Sequence, residues 1–247
     1  MTDAKLWQPV GAALERWSAA GLHAKFWLRD DDAVEPSSRL DRLIALTARF
    51  EVPVALAVVP EQTGHGLAEE LEGRSHVSTL VHGWAHRNYA GEGEKKQEFG
   101  PHRPLAEMTQ DLARGLHRMK QLHPSRLVPI FVPPWNRIAP NVVASLGGIG
   151  YAALSRFGPA RHAQASIAEI NTHVDLIDFR GTRRCRDHAL LAAETAQALS
   201  DSFEHGGYPV GILSHHLVND NAAFDFLEAL FAASRPHRWV SPRELIE

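Results

Sequence analysis

Short apolar runs alternate with amphipathic segments along nearly the whole chain. KFWLR, PVALAVV, HVSTLV, VPIFV, YAALS, IAEINTHVDLIDF, YPVGILS and HRWV have the length and apolar density of buried strands. The segments between them read as helices. Leu6, Val10, Ala13, Leu14 and Trp17 repeat at helical spacing, and Ser38 with Asp41 resembles a capping box ahead of Leu40, Leu43, Ile44 and Leu46. Pro104 suits the first position of a long polar-apolar helix, and Ala189 to Phe203 makes another, closed by Gly206 and Gly207. Strand-helix alternation of this kind predicts an α/β fold with a mostly parallel sheet, either closed as a barrel or open and doubly wound.

At 247 residues and 44% apolar, the chain can bury a full core, and it is expected to form a single domain over residues 1–247. Its formal net charge of -3, from 26 basic and 29 acidic side chains spread along the sequence, gives no electrostatic reason to expect nucleic acid as a partner. Cys185 is the only cysteine, so an intrachain disulfide and a thiolate metal cluster are both excluded, and any metal ligands must be His and carboxylate. The N-terminal segment lacks the basic start and unbroken apolar core of a secretory signal, and no run approaches the roughly 18 apolar residues of a membrane span. A soluble, cytoplasmic protein with no membrane partner is the expectation.

Polar residues gather at the C-terminal ends of the predicted strands. RDDDA (29–33) follows the first, His82 and His86 of TLVHGWAHRN follow the third, and PPWNR (133–137) follows the fourth. Asp178 closes the sixth and SHH (214–216) the seventh. Each has an ordinary structural explanation. A His pair at this spacing arises by chance in a chain with 15 histidines, an aspartate run serves as a solvated turn, Trp135 serves as core, and His215 or His216 as a satisfied half-buried ring. All five together at the ends where α/β folds build active sites are harder to explain that way. Two imidazoles four apart converge within one turn of chain and make a candidate metal site, which needs a third ligand from elsewhere.

In this order the residues resemble the polysaccharide deacetylase family, metal-dependent carbohydrate esterases that remove N- or O-acetyl groups. The resemblance runs from about Phe26 to about Leu217. Asp31-Asp32 look like the family's Asp-Asp pair, His82 with His86 like its His-x-x-x-His, and Pro134-Trp135 like its Pro-aromatic turn. Asp178 looks like its upstream Asp, and Leu213-Ser214-His215 like its closing Leu-x-His. The resemblance implies a distorted (β/α) barrel of about seven parallel strands with outer helices. It implies one divalent ion, zinc first and cobalt, nickel or manganese otherwise, held by Asp32, His82 and His86. Asp31 would be the base, His215 the acid oriented by Asp178, and the Trp135 N–H an oxyanion donor. Pro134, Trp135, Asn136 and Arg137 would line the substrate site, and the substrate would be an acetylated sugar or glycan.

The chain departs from the pattern in three places. Three aspartates stand where two are usual, which leaves Asp30 as rival to Asp31, and the pairing Asp31-Asp32 puts Ala33 in the place of the usual glycine. Val132 replaces the arginine that usually opens the Pro-aromatic motif, leaving Arg29 or Arg137 as stand-ins. SHH offers His216 as alternate to His215. The long charged loop from Tyr89 to Pro104 reads as a lid, with Glu98 and Phe99 as its contributors. A hydrolase of a small non-sugar amide on the same fold, or a non-catalytic relative that binds glycan or metal, would share most of these features.

Overall fold

The computed structural model describes residues 3–160, 167–235 and 237–246. The strands are β1 (Lys25–Ala33), β2 (Val54–Val58), β3 (Val77–His82), β4 (Leu127–Val132), β5 (Ala153–Leu154), β6 (Ala168–Glu169), β7 (Val174–Asp175), β8 (Val210–Ser214) and β9 (Arg238–Trp239). The helices are α1 (Asp3–Ala19), α2 (Ser38–Arg49), α3 (His65–Glu70), α4 (Leu105–Leu122), α5 (Pro140–Val143), α6 (Leu146–Ile149), α7 (His188–Glu204) and α8 (Asn221–Ala233). The recorded strand pairings are parallel, as the strand-helix alternation predicts. Among the described residues no helix is long and apolar enough to cross a membrane.

The chain groups into two compact units. The first comprises Met1–Asp30, Ser37–Val54 and Thr172–Ser241. Here β1 pairs with β8 from Phe26 opposite Val210 to Asp30 opposite Ser214, β8 pairs with β7, and β9 lies along the start of β1. Aromatic side chains fill its core. Phe26 stacks on Trp239 at 5.0 Å, Trp239 meets Phe231 edge-on at 4.9 Å, and Trp7 of α1 packs on Phe226 of α8 at 5.2 Å. Burying one such ring stabilises the fold by about 1.5–3 kcal/mol. Trp17 packs edge-on against Phe203 and donates its indole N–H to the Leu199 carbonyl at 3.2 Å, so its polar edge is satisfied as its rings are buried.

The second unit comprises Asp31–Pro36, Ala55–Asn171 and Pro242–Glu247. Its strands run in the order β6-β5-β4-β3-β2, with the last residues of β1 beside β2. Every residue of β2 is buried, which explains its uninterrupted apolar sequence. Phe131 sits between Phe99 at 5.1 Å and Tyr151 at 5.3 Å, and the Tyr151 hydroxyl donates to the Leu112 carbonyl at 3.0 Å.

Three sequence expectations shift. The described residues hold nine strands: the eight apolar runs named above each contribute, and IAEINTHVDLIDF divides into β6 and β7. The division falls where Asn171 takes the Arg156 N–H on its side-chain oxygen at 2.7 Å, a donor that a continuing ladder would use. The α2 cap is Ser37, not Ser38: Ser37 is extended (φ -156°, ψ 153°) and accepts the Leu40 N–H, whereas Ser38 is already helical. Pro104 is the cap of α4 rather than its first residue, since its ψ of 137° is extended.

His123, at the C-terminal end of α4, is buried with neither ring nitrogen hydrogen-bonded among the described residues. Burial, helped by Arg126, pushes its pKa down to about 4. Burial does the same to His173, whose Nδ1 accepts the Gly211 N–H at 3.0 Å and must be neutral to do so. An unfolded chain takes up these protons near pH 6.5 and the folded chain only near 4, so stability is full above about 6.5 and falls as the pH drops towards 4. Replacing His123 with Leu removes two buried, unsatisfied nitrogens and should raise stability by about 1–3 kcal/mol at neutral pH. Urea unfolding at neutral and mildly acidic pH tests this. A variant less stable than wild type at neutral pH, or one with an unchanged acid decline, would contradict it.

Candidate functional site

β1 carries three aspartates just before its last residue, Ala33, and β3 ends at His82, and these strand ends supply the core of the site. Two of the side chains stand on left-handed backbone. Asp32 has φ 70° and His86 φ 53°, left-handed values that non-glycine residues adopt at a cost of order 1 kcal/mol or more. Asp32 Oδ1 lies 3.1 Å from His82 Nε2 and 3.2 Å from His86 Nε2, and one donor atom from each of the three residues falls within 4.8 Å of the others.

The protonation pattern suits a cation. His82 Nδ1 lies 3.0 Å from the Val132 carbonyl, which can only accept, so that nitrogen carries the proton. The ring's Nε2 faces Asp32, and with the proton on Nδ1 the neutral tautomer would leave a lone pair there for a cation. Burial, followed by the nearby His82, pushes the His86 pKa down to about 4, so this ring is neutral near pH 7. Two imidazole lone pairs and a carboxylate oxygen thus converge. Ligand atoms about 2.0–2.1 Å from a tetrahedral ion stand about 3.3 Å apart, close to the two distances from Asp32 to the histidines. The N, N, O set suits zinc and the neighbouring divalent ions named above.

The bend between the two histidines is hydrogen-bonded on every side. Gly83 N–H donates to the Val132 carbonyl at 3.0 Å, and the N–H groups of Trp84 and Ala85 donate to the Glu98 carboxylate at 3.3 and 2.8 Å. The Trp84 carbonyl accepts from Glu61 N–H and the Ala85 carbonyl from the Gln62 side chain. Gly83 has φ 63°, and a Cβ there would lie 2.2 Å from a Glu98 oxygen and 2.6 Å from the Pro134 ring, so only glycine fits. Glu98 is fully buried, and burial raises its pKa. The expectation of a lid over Tyr89 to Pro104 is therefore corrected at its C-terminal end. Glu98 and Phe99 are buried anchors, and the Phe99 carbonyl accepts the Ala139 N–H at 2.8 Å.

Trp135 and Asn136 occupy a 3₁₀ turn (Pro134–Asn136) after β4, with φ 56° and 57°. The half-buried Trp135 ring packs on His86 at 4.4 Å. Among the described residues no hydrogen bond uses the Trp135 N–H. Pro134 is buried, and Arg137 reaches away to the Lys96 carbonyl at 2.9 Å. Asp31 is buried, and its charge acts on the His86 ring. Arg29 is fully buried within β1.

Asp30 and Asp178 do something other than expected. The Asp30 carboxylate is fully buried and bonds Ser214 Oγ, the His216 N–H and His216 Nδ1. Asp178 lies three residues beyond the end of β7, and its carboxylate accepts from the N–H groups of Gly181 and Thr182 at 3.0 and 2.9 Å. The Thr182 N–H bond leads the lowering of its pKa, and the carboxylate closes a surface turn. Its neighbour Phe179, not Asp178, meets the buried His215 ring, edge-on at 4.6 Å. Sequence reading missed Val132 and Glu98 as supports of the histidine pair. A main-chain carbonyl leaves no mark in the sequence, and Glu98 sits in a charged run, KKQEF, that looks solvated.

No protein-family model and no curated protein matches the sequence. Solved structures do match the fold. A Mycobacterium smegmatis protein put forward as a polysaccharide deacetylase superposes with a TM-score of 0.65 at 14% identity, over 91% of this chain and 89% of that one. Peptidoglycan deacetylase PdaC from Bacillus subtilis gives 0.55 at 11% identity, over 90% of each chain. A family 4 acetyl xylan esterase from Clostridium thermocellum, solved with a cobalt ion, gives 0.53 at 13% identity, over 90% of this chain and 89% of that one. The chain has the (β/α) fold of these deacetylases and esterases.

Removing the Glu98 side chain would strand the N–H groups of Trp84 and Ala85. Glu98→Ala is expected to lower stability by about 1–3 kcal/mol, while Glu98→Gln, whose single oxygen can serve only one of the two N–H groups, should recover part of that loss. Equal losses in the two variants, measured by urea unfolding, would rule out the anchoring role.

Proposed function

We propose that the protein is a divalent-metal-dependent deacetylase, a hydrolase that removes acetyl groups from an N- or O-acetylated sugar or glycan. The observation that carries this reading is the convergence of Asp32, His82 and His86, with the Nε2 atoms of both rings about 3 Å from one carboxylate oxygen. The shared fold with deacetylases supports it. Residues 1–247 act as one catalytic domain in this reading, and the reaction is cytoplasmic.

Asp32, His82 and His86 would hold the ion, zinc being the first choice and cobalt, nickel and manganese the others. When bound, such an ion lowers the pKa of water from about 15.7 towards 7 and polarises the acetyl carbonyl. Asp31 takes the proton of the attacking water as its oxygen bonds to the carbonyl carbon. The Trp135 N–H donates to the oxygen on which negative charge develops, and its left-handed backbone and the lack of another acceptor among the described residues support that role. Pro134, Trp135 and Asn136 line the substrate side, with Arg137 holding the adjoining loop through Lys96. His215 gives a proton to the nitrogen as the carbon–nitrogen bond breaks, because an amine leaves poorly as an anion. Asp178 is left out of the proposal, since its carboxylate is committed to Gly181 and Thr182.

Acetate release from a panel of soluble N-acetylated sugars, O-acetylated sugars and small amides, by zinc-loaded protein, tests the reading. Turnover of acetylated sugars is expected, and turnover of non-sugar amides alone would transfer the site to another substrate class. His82→Ala and His86→Ala should each strip the ion, and retention in both would end the metal hypothesis. Asp31→Asn should keep zinc and lose turnover, whereas Asp32→Asn should lose zinc; the reverse pattern would exchange their roles. His215→Ala should slow amide hydrolysis by about 10²–10⁴-fold and hydrolysis of an activated ester far less, with zinc content unchanged.

A further inference from the structure

The aspartate run and the closing SHH each carry one residue more than the motifs they resemble, and the two surplus residues bond to each other. Asp30 stands opposite Ser214 in the β1–β8 ladder. Its carboxylate accepts from Ser214 Oγ at 2.6 Å, from the His216 N–H at 2.8 Å and from His216 Nδ1 in a close contact. Asp30 and His216 are both fully buried. His215 lies between the two residues tied to this carboxylate. On its other side the His215 carbonyl accepts the N–H groups of Val218 and Asn219 at 2.8 and 2.9 Å, and its own N–H faces Asn219 Oδ1 at 3.4 Å. Its ring rests edge-on against Phe179, and its Nδ1 is buried with no hydrogen-bond partner among the described residues. The ring is therefore aimed by its backbone and by packing on Phe179, and among the described residues no side chain hydrogen-bonds to it.

We propose that Asp30 and His216 form a buried clamp that positions His215, filling the place expected for Asp178. The proposal rests on reading His215 as the acid. Asp30 is then a positioning residue, neither base nor metal ligand, and its carboxylate acts as a multiple acceptor rather than through its charge. An asparagine could replace it. One oxygen would still accept from Ser214 and the His216 N–H, and the amide would donate to His216 Nδ1.

The test uses the zinc-loaded full chain. Asp30→Asn should keep zinc and retain amide turnover to within about ten-fold, while Asp30→Ala should keep zinc and lose about 100-fold or more in amide kcat with little change in KM. Activated-ester hydrolysis should survive in both. His216→Asn, which keeps a donor towards Asp30, should outperform His216→Leu on the amide, and this pair serves if Asp30→Ala fails to fold. Loss of zinc in Asp30→Asn would make Asp30 a ligand, and loss of both amide and ester turnover with zinc retained would make it the base; either overturns the clamp. Full amide turnover in Asp30→Ala or His216→Leu overturns it too. If the wild-type protein hydrolyses no amide, the functional reading fails separately. The clamp is then judged by the rate at which diethyl pyrocarbonate modifies His215: faster in Asp30→Ala than in Asp30→Asn supports it, and equal rates reject it.

Discussion

Buried negative charge is the constraint on which the rest of the structure turns. Three consecutive aspartates close a strand whose residues are almost all buried, and a carboxylate taken out of water costs several kcal/mol unless something compensates it. Asp30 is compensated by a hydroxyl, a backbone N–H and an imidazole from the segment that follows β8. Asp32 is only partly buried and faces the two rings that follow β3, where a bound cation would offset its charge. Each carboxylate thus ties the end of β1 to a different part of the chain, and those ties hold the histidines where chemistry can use them.

Placement is bought with backbone strain. Six described non-glycine residues have left-handed φ, and four of them, Asp32, His86, Trp135 and Asn136, are site residues. Conformations of this kind persist where surrounding interactions over-determine them. Around His86 that surround is explicit: the bend before it donates to Val132 and Glu98 and accepts from Glu61 and Gln62. Glu98 meets its own burial cost through the same two N–H groups that it orders.

The site was legible where side-chain type and spacing carry the information. An imidazole pair at the end of one strand and an aspartate run at the end of another mark themselves in sequence, and Asp32, His82 and His86 do come together. Asp178 reads equally well as a partner for His215, yet nearby N–H groups occupy it, because a carboxylate at a loop start closes a turn as readily as it orients a ring. Glu98 reads as a contributor to a charged lid and lies fully buried, because burial depends on which surface the loop returns to.

The sequence by itself determined the alternation of strands and helices, the parallel sheet, the His and carboxylate donor set, and the gathering of polar residues at strand ends. Apolar periodicity and residue type are local properties, and local physics suffices to read them. Only the tertiary structure decided which of three aspartates meets which histidine. The β1–β8 register, with Asp30 opposite Ser214, and the left-handed turn at Asp32 separate neighbouring carboxylates into different environments. Pairing over some 180 residues of chain is set by strand order and backbone torsion, and neither is written in the spacing of residue types.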